Sequence, residues 1–532
     1  GNFTSYSYDS TGNMLTKTDA LGNTVTSTYD SAGNLLTHTD CLGNITTYEY
    51  DSRGNKTAEV DALGHRTTYT FDNNGNELTE SRTRTTSSGS VTMTTSKEYD
   101  GKGMLTRKVD ALGNVEAIEY DALCQEVARI DRLGYRTEYE YDESGNLTRT
   151  TYPNGTTEMN TYDANGNRIS FTDRGGRVTQ YEYDASLYRF SELSRQNRLV
   201  RTGHPDGTST LLEYDAVGSI TATVDENGNR TENEYDGAGR KVRTIDALGY
   251  VTTFGYDANG NLLNVTDANG HTTWHEYDAL NRMIRTIHPD GSSSSIEYTI
   301  SCCAECGSQK HSETDQAGHT TWFDHDALGR LINVTDALGG VTSYSYDEVG
   351  NKLTQTDAKG NTTSFSYDHI GRQLTRTLPM GQTESLAYDA NGNLLAKTDF
   401  NGETTTYSYD AMKRLVQKQY SDGFQISFAY TPTGKRATAT DARGVTSYTY
   451  DARDRLLEVA HPDGNTIAYL YDTAGNRTSL TVPSGTTNYN YDLLNRLDSM
   501  TDPEGGVTQY TYDAVGNRAS VSYPNGTIAE YT

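Results

Sequence analysis

The sequence predicts an all-β fold in which tandem β-hairpins form one long, coiled antiparallel sheet, either spiral or tubular. The dipeptide Tyr-Asp returns every 21 residues along most of the chain, from Tyr8-Asp9 to Tyr512-Asp513. Each repeat carries two glycine turn motifs, 10 and 11 residues apart, which leaves room for one short strand between turns. A fixed period indicates a repeat architecture, because one such unit cannot bury its own apolar face.

The turn motif D-x-x-G-N gives each hairpin a physical basis, as in Asp30 to Asn34 and Asp40 to Asn44. The aspartate accepts hydrogen bonds from the amides after it, the next two residues form a type I turn, and glycine takes the left-handed position of a bulge. We therefore expect positive φ at the turn glycines, which include Gly33, Gly43, Gly54, Gly260, Gly350 and Gly392.

Proline supports the same interpretation. All nine prolines lie two residues before a glycine, where proline favours the second position of a type I turn and interrupts no central strand. The prolines are Pro153, Pro205, Pro289, Pro379, Pro432, Pro462, Pro483, Pro503 and Pro524.

Between turns, threonine, tyrosine, valine and leucine alternate as in half-buried strands. Residues two apart share a sheet face, so the anchor tyrosines of the Tyr-Asp dipeptides predict an aromatic ladder across the strands. The ladder replaces an aliphatic core, since only 33% of residues are hydrophobic. Its members include Tyr8, Tyr29, Tyr50, Tyr120, Tyr141, Tyr256, Tyr277, Tyr346, Tyr367, Tyr409, Tyr450, Tyr471 and Tyr512.

The domain organisation is a single continuous array over residues 1–532, with about 24 repeats and incomplete repeats at both ends. Insertions fall near residues 81–96, 187–204 and 300–312. The first is predicted to be an extended hairpin, and the second has the pattern of a short helix. At about 4.8 Å per strand, two strands per repeat span roughly 230 Å, and sheets of that size coil.

The charge excludes several partners. A net charge of −27 argues against nucleic acid and against anionic membrane surfaces, and no segment predicts membrane insertion. Regular aspartates raise the possibility of calcium, although acidic calcium-binding repeats have a denser glycine-aspartate pattern. We therefore expect no cofactor from the repeats themselves.

The pattern Y-D-x-x-G-N-x(9)-D-x-x-G-N resembles the YD-repeat or Rhs-repeat family of bacterial polymorphic toxins, insecticidal toxin-complex cocoons and teneurins. The nearly exact repetition favours a bacterial source, and the resemblance, which covers essentially the whole chain, implies a hollow shell that is extracellular or on the cell surface. It also implies a covalently linked C-terminal cargo, or other segments of the same chain, as partners. The D-P-x-G segment that closes the family's toxin shells is matched by Asp502 to Gly505 only as an ordinary repeat turn.

The leading functional hypothesis is a structural shell or scaffold, not an enzyme, that encloses or displays a toxin or another effector. The alternatives are an extracellular fibre, with neighbouring subunits as partners, and an adhesin that binds cell-surface carbohydrate. Histidine and aspartate lie two apart at His204, His288 and His461, a spacing that suits acid–base chemistry. Each pair occupies a repeat turn, however, which accounts for it without catalysis.

The cysteine cluster is the one departure from the repeat. Cys302, Cys303, Cys306 and His311 fall in the third insertion, and their spacing resembles a zinc knuckle that lacks its fourth ligand. Zinc there would allow a metal-dependent enzyme. A disulfide or free thiols explain the same residues and suit an exported chain, so both interpretations stay open.

Overall fold

The computed structural model describes residues 3–86, 89–184, 197–299 and 309–531, and these contain 49 β-strands in one antiparallel sheet. No helix occurs in these four ranges. The all-β antiparallel hairpin fold predicted from the sequence is confirmed. The first 25 strands are β1 (Ser5–Tyr8), β2 (Met14–Thr18), β3 (Thr24–Tyr29), β4 (Leu35–Thr39), β5 (Ile45–Tyr50), β6 (Lys56–Val60), β7 (Arg66–Phe71), β8 (Glu77–Thr86), β9 (Gly89–Tyr99), β10 (Leu105–Val109), β11 (Val115–Tyr120), β12 (Glu126–Ile130), β13 (Arg136–Tyr141), β14 (Leu147–Thr151), β15 (Thr157–Tyr162), β16 (Arg168–Thr172), β17 (Val178–Tyr183), β18 (Leu199–Gly203), β19 (Ser209–Tyr214), β20 (Ile220–Val224), β21 (Arg230–Tyr235), β22 (Lys241–Ile245), β23 (Val251–Tyr256), β24 (Leu262–Thr266) and β25 (Thr272–Tyr277). The remaining strands are β26 (Met283–Ile287), β27 (Ser293–Tyr298), β28 (Lys310–Thr314), β29 (Thr320–His325), β30 (Leu331–Thr335), β31 (Val341–Tyr346), β32 (Lys352–Thr356), β33 (Thr362–Tyr367), β34 (Gln373–Thr377), β35 (Thr383–Tyr388), β36 (Leu394–Thr398), β37 (Thr404–Tyr409), β38 (Leu415–Gln419), β39 (Gln425–Tyr430), β40 (Arg436–Asp441), β41 (Gly444–Tyr450), β42 (Leu456–Ala460), β43 (Thr466–Tyr471), β44 (Arg477–Val482), β45 (Gly485–Tyr491), β46 (Leu497–Thr501), β47 (Val507–Tyr512), β48 (Arg518–Ser522) and β49 (Ile528–Glu530).

A typical repeat pairs a six-residue strand that ends at the anchor tyrosine with a five-residue strand that follows the first turn. In β5 and β6, Tyr48 lies opposite Glu59 and Glu49 lies opposite Ala58. The register then shifts by one residue, so Tyr50 faces Lys56. This β-bulge beside the tyrosine twists the strand end and sends the chain into the turn.

Two shorter repeats show how the turn sets strand length. The repeats that end at Tyr450 and Tyr491 are 20 residues long, and their second turns shrink to two residues, with Asp441 opposite Gly444 and Val482 opposite Gly485. A Cβ atom on Gly485 would overlap the Pro503 ring in the next repeat. Glycine is therefore required there both by its φ of 139° and by close packing.

The described parts of the three insertions behave differently. Strands β8 and β9 extend one hairpin across residues 81–96, with Thr86 opposite Gly89. Of the second insertion, residues 199–203 form β18, and residues 185–196, where the sequence suggested a short helix, lie outside the described residues. Residues 300–308 of the third insertion also lie outside them.

The chain divides into two compact units. Unit 1 comprises Gly1–Arg136 and Trp274–Thr406, and unit 2 comprises Thr137–Thr273 and Tyr407–Thr532. Each unit thus combines an N-terminal segment with a segment far later in the chain. Fully or nearly fully buried apolar side chains are few, and they are small: Val25, Ala58, Ala128, Ala222 and Val521 are at most 2% exposed.

Candidate functional site: the tyrosine face and the turn rows

The anchor tyrosines tie each hairpin to the one before it. The Tyr29 hydroxyl donates to the Met14 carbonyl at 3.0 Å, and the Tyr120 hydroxyl donates to the Leu105 carbonyl at the same distance. The acceptor lies 15 residues back, at the start of the preceding hairpin's second strand. Corresponding bonds are made by Tyr256, Tyr346, Tyr367, Tyr471 and Tyr512, and Tyr450 reaches 14 residues back.

The other tyrosines of the expected ladder hold equivalent places. Tyr50, Tyr141, Tyr277 and Tyr409 end β5, β13, β25 and β37, each half-buried. Tyr8 lies in the first strand, is 57% exposed and stacks on Tyr6 with ring centroids 6.4 Å apart. Burial raises the pKa of the Tyr367 phenol, which fits a hydroxyl held as a donor.

Cations lie between the aromatic rings two residues before the anchors. The Lys56 ammonium is 5.7 Å from the Tyr48 ring and 4.9 Å from the Tyr69 ring. Lys352 bridges Tyr344 and Phe365 in the same way, at 5.6 and 4.8 Å. The aromatic face is therefore stabilised by cation–π contacts as well as by burial.

A second set of cations clamps successive repeats where arginine replaces the last asparagine of the first turn. In the turn Asp326 to Arg330, the Arg330 Nε donates to the Asp326 carboxylate at 2.7 Å, and its Nη1 donates to the Asp347 carbonyl at 3.0 Å. Its guanidinium also lies 4.9 Å from the Tyr346 ring. We call this arrangement the arginine clamp. It recurs at Arg198, Arg240, Arg372, Arg414, Arg455 and Arg496.

The turn aspartates are held as carboxylates by the turns themselves. Asp51 accepts hydrogen bonds from the backbone amides of Arg53 and Asn55 at 2.9 Å and from the Asn55 side chain at 2.8 Å. The Asn55 side-chain bond is the largest cause that lowers the Asp51 pKa. In the arginine version of the turn, the Arg240 side chain lowers the Asp236 pKa in the same way. The regular aspartates thus serve as turn acceptors.

The glycines predicted at the fourth turn position all have the left-handed backbone conformation. Gly33, Gly43, Gly54, Gly260, Gly350 and Gly392 have φ between 87° and 92°. Where glycine is missing the conformation persists, at φ 65° for Cys124, 60° for Asn281 and Lys413, 62° for Asp454 and 59° for Asn495. The turn geometry therefore outweighs the cost of a side chain at positive φ.

The opposite sheet face carries two recurring kinds of polar pair. Glu49 and Arg66 form a bidentate ion pair at 2.6 Å above the fully buried Ala58, and the pairs Glu119–Arg136 and Glu213–Arg230 repeat this arrangement. Hydroxyl pairs take the equivalent positions in other repeats, as in the pairs Thr28–Thr37, Ser345–Thr354 and Ser366–Thr375. Both kinds of pair place polar groups on this face, the polar face of the sheet.

Within each unit, second turns of the N-terminal segment contact first turns of the later segment. In unit 1, the Asn391 side chain donates to Asp131 at 2.7 Å. In unit 2, Arg177 forms a bidentate ion pair with Asp454 at 2.7 and 2.8 Å. We call the turns in these two rows docked turns, and the first turns of the N-terminal segments and second turns of the later segments open turns.

The remaining candidates from the sequence stay apart or lie outside the described residues. Cys302, Cys303 and Cys306 are among the latter, whereas His311 lies in β28 with its ring 5.3 Å from Trp322. Cys41 is disulfide-bonded, and Cys124 is a free, exposed thiol. In residues 3–86, 89–184, 197–299 and 309–531, no group of three or more metal-ligating side chains is placed to hold an ion.

The histidine–aspartate turns use their carboxylates locally. Asp206, Asp290 and Asp463 each accept a hydrogen bond from the backbone amide two residues later. His204 contacts Glu226 instead, with its Nε2 at 3.2 Å. Among the residues that the structure covers, no helix has the length and hydropathy needed to cross a membrane.

Two family models match the chain. The RHS Repeat model matches residues 29–66, 120–157, 162–186, 388–425, 430–466, 450–487 and 491–528, and the Teneurin YD-shell model matches residues 194–401. No curated protein sequence matches.

Similar solved structures contain toxin-complex proteins. The crystal structure of TcdB2-TccC3-Cdc42 superimposes with a TM-score of 0.59 at 15% identity, over 98% of this chain and 40% of that one. TcdB2-TccC3 gives a TM-score of 0.58 at 16% identity, over 98% and 37%. A Tc holotoxin pore from Photorhabdus luminescens gives 0.57 at 15%, over 98% and 39%. The chain thus spans about two fifths of the length of these proteins and shares their fold.

Proposed function

The chain belongs to the YD-repeat, or RHS-repeat, family, and from that premise we propose that it is a wall segment of a shell that encloses or displays a toxin or another effector. The shell is secreted or displayed at the surface of a bacterial cell. Its partners are a covalently linked cargo and other segments of the same polypeptide.

The observation that carries this proposal is the hydrogen bond that recurs from anchor tyrosines to the preceding hairpin. The Tyr367 hydroxyl, for example, donates to the Lys352 carbonyl at 2.8 Å. Such a bond joins one hairpin to the preceding hairpin and so makes the repeats a continuous wall. The polar groups of the repeats act within the wall, as the turn aspartates show. A polypeptide whose polar groups mostly stabilise a wall is suited to a container. We therefore assign this chain no catalytic role.

The test is protease protection of the segment outside the repeats, in the natural polypeptide that contains residues 1–532. Replacing Tyr298, Tyr346 and Tyr367 together by alanine removes three inter-hairpin bonds and opens the wall, so the enclosed segment should be digested. The matched control replaces Ser345 and Ser366, on the opposite face, by alanine and should leave protection intact. Equal digestion of that segment in the unchanged protein and the triple variant would refute enclosure.

A carbohydrate-binding adhesin is a second candidate because both tryptophans are exposed on the polar face. Trp274 is 48% exposed and Trp322 is 42% exposed, and each lies three residues before an anchor position. Exposed aromatic rings on a rigid sheet suit stacking on sugars. Glycan-array binding that disappears in Trp274→Ala and Trp322→Ala would favour this function over enclosure.

A further inference from the structure

We infer that Arg84 and Asn351 together set the register between the two segments of unit 1. A register device is needed because the turns recur every 21 residues, so the same backbone surface is offered at each repeat. The turns that begin at Asp326, Asp347, Asp368 and Asp389 have the same backbone hydrogen bonds. Repetitive surfaces specify pairing weakly, and a slip by one repeat would preserve most generic contacts.

The extended hairpin β8–β9 carries the first half of this device. Its strands have 10 and 11 residues, where the usual strands have five and six. The extra length brings Arg84 onto the docked first turns, where it is only 5% exposed. Beside it, the Thr85 amide donates to the Glu348 carboxylate at 3.0 Å.

Arg84 is held by backbone carbonyls of the later segment. Its Nη2 donates to the Tyr367 carbonyl at 2.9 Å, and its Nη1 donates to the Asp368 carbonyl at 3.1 Å. Nη1 also lies 3.7 Å from the Asp347 carboxylate, whose side chain is 1% exposed. A buried cation is stable only where such acceptors surround it.

Asn351 is the second half of the register device, because it leaves the Asp368 carbonyl available to Arg84. In the neighbouring repeats, arginine clamps occupy the equivalent carbonyls: Arg330 donates to Asp347 at 3.0 Å, and Arg372 donates to Asp389 at 2.6 Å. Asn351 bonds only within its own turn, to Asp347 at 2.7 and 2.8 Å. Arg84 therefore takes the place of a clamp that this turn lacks.

A slip by one repeat in either direction would bring Arg84 to a carbonyl already taken by an arginine. The buried guanidinium would then lose its acceptor and face a like charge, which is strongly unfavourable. The Thr85 amide would lose Glu348 as well, because the equivalent residues are Ala327 and His369. The native register is the one in which both Arg84 Nη atoms and the Thr85 amide find acceptors, and fixing register is the role best established for buried charged groups in repetitive assemblies.

Photo-crosslinking measures the register directly. A photoreactive amino acid replaces Thr83, which is exposed beside Arg84, and mass spectrometry of the full chain locates the adducts. The unchanged protein should crosslink within residues 346–372. Arg84→Met should add adducts one repeat, or 21 residues, away. The matched control Arg82→Met, on the same hairpin with a half-exposed side chain, should leave the adducts in place.

Two variants at the acceptor side separate register from simple packing. Asn351→Arg introduces a clamp at the Asp368 carbonyl and should displace the adducts although Arg84 is intact. Adding Arg372→Asn moves the open carbonyl to Asp389, and the adducts should move toward residues 388–393. Adducts at the native positions alone, in either Arg84→Met or Asn351→Arg, would overturn the inference. If Arg84→Met loses its β-structure, Asn351→Arg alone decides between the two outcomes.

Discussion

The docked turns of the N-terminal segment are apolar at their third position in unit 1, whereas they are mostly polar in unit 2. In unit 1 this segment carries Leu21, Leu42, Leu63, Leu112 and Leu133 there, and the docked turns of the later segment carry Leu280, Leu328, Val349, Ile370 and Asn391. In unit 2 the N-terminal segment carries Asn154, Gly175, Asp206, Asn227, Leu248 and Asn269, and the docked turns of the later segment carry Met412, Thr433, Arg453, Ala474, Leu494 and Val515. The same backbone turn thus supports two kinds of contact between segments.

The difference follows from what each turn meets. In unit 2, Arg453 bonds Glu226 at 2.5 Å and lies 3.7 Å from Asp206, so hydrogen bonds and charges hold its segments together. In unit 1, Val349 and Ile370 line a cavity of about 300 Å³ with Met93, so apolar contact contributes more. In the N-terminal segments, the third turn position therefore differs with the kind of contact that a docked turn makes, while the rest of the turn forms the hairpin.

The largest effect is expected where a charge enters the apolar contact of unit 1. Ile370→Asp should lower the free energy of unfolding by about 2–4 kcal/mol, because the apolar contacts of Ile370 are lost and the carboxylate is partly desolvated in the cavity. Leu338, at the same position of an open turn, is 98% exposed, and Leu338→Asp should change stability by less than about 0.5 kcal/mol. Chemical denaturation of both variants measures the difference, and equal losses would contradict the distinction between docked and open turns.

The sequence predicted the fold and the individual turn because both are local. The Tyr-Asp period, the proline placement and the turn glycines depend on contacts within about one repeat, and periodicity records these directly. The arginine clamp had a signal that was missed: Arg330, Arg372 and their equivalents replace the asparagine of the motif. At the asparagine position of the repeat motif, an arginine can reach the backbone carbonyl of the next repeat, which asparagine is too short to reach.

The docking of segments was not predictable from the period. The ion pair between Arg177 and Asp454 joins residues 277 apart, and no local pattern states which repeats meet. Only the third turn position carries a sequence signal for docking, namely the leucine of the D-A-L-G turns at Asp61 and Asp110. Leu338 occurs in the same D-A-L-G sequence in an open turn, so this signal alone does not identify a docked turn.

An intermediate effect is expected when acid weakens the polar docking of unit 2. The bidentate bond from Arg177 is the largest cause that lowers the Asp454 pKa below its ordinary value of 3.8. Because the folded pKa is depressed, the stabilisation is fully present above the unfolded value and is lost as pH falls through the folded pKa. Acidification from pH 5 to pH 3 should therefore loosen residues 431–455 before the docked turns of unit 1.

Limited proteolysis as a function of pH measures this order. Asp454→Asn should remove the acid transition of that region and make it equally loose at pH 5, at a cost of about 1–3 kcal/mol for a lost charged hydrogen-bond pair. If unit 1 is cleaved first on acidification, or if Asp454→Asn keeps the transition, the Arg177 pair is not what holds these turns.

The smallest effect is expected from one uncharged side chain in unit 2. Asn227, in a docked turn, donates to the Asp472 carboxylate at 3.0 Å and accepts from the Ala474 amide at 3.2 Å. Asn227→Ala should lower the free energy of unfolding by about 1 kcal/mol, since the net value of a hydrogen bond is modest. Asn259 holds the third position of an open first turn in the same segment, and Asn259→Ala removes the same side chain without that docking. Denaturant unfolding should separate the two variants, and hydrogen exchange at the Ala474 amide should rise only in Asn227→Ala. If the Ala474 amide exchanges equally fast in Asn227→Ala and Asn259→Ala, the Asn227 side chain does not stabilise the docking of the segments.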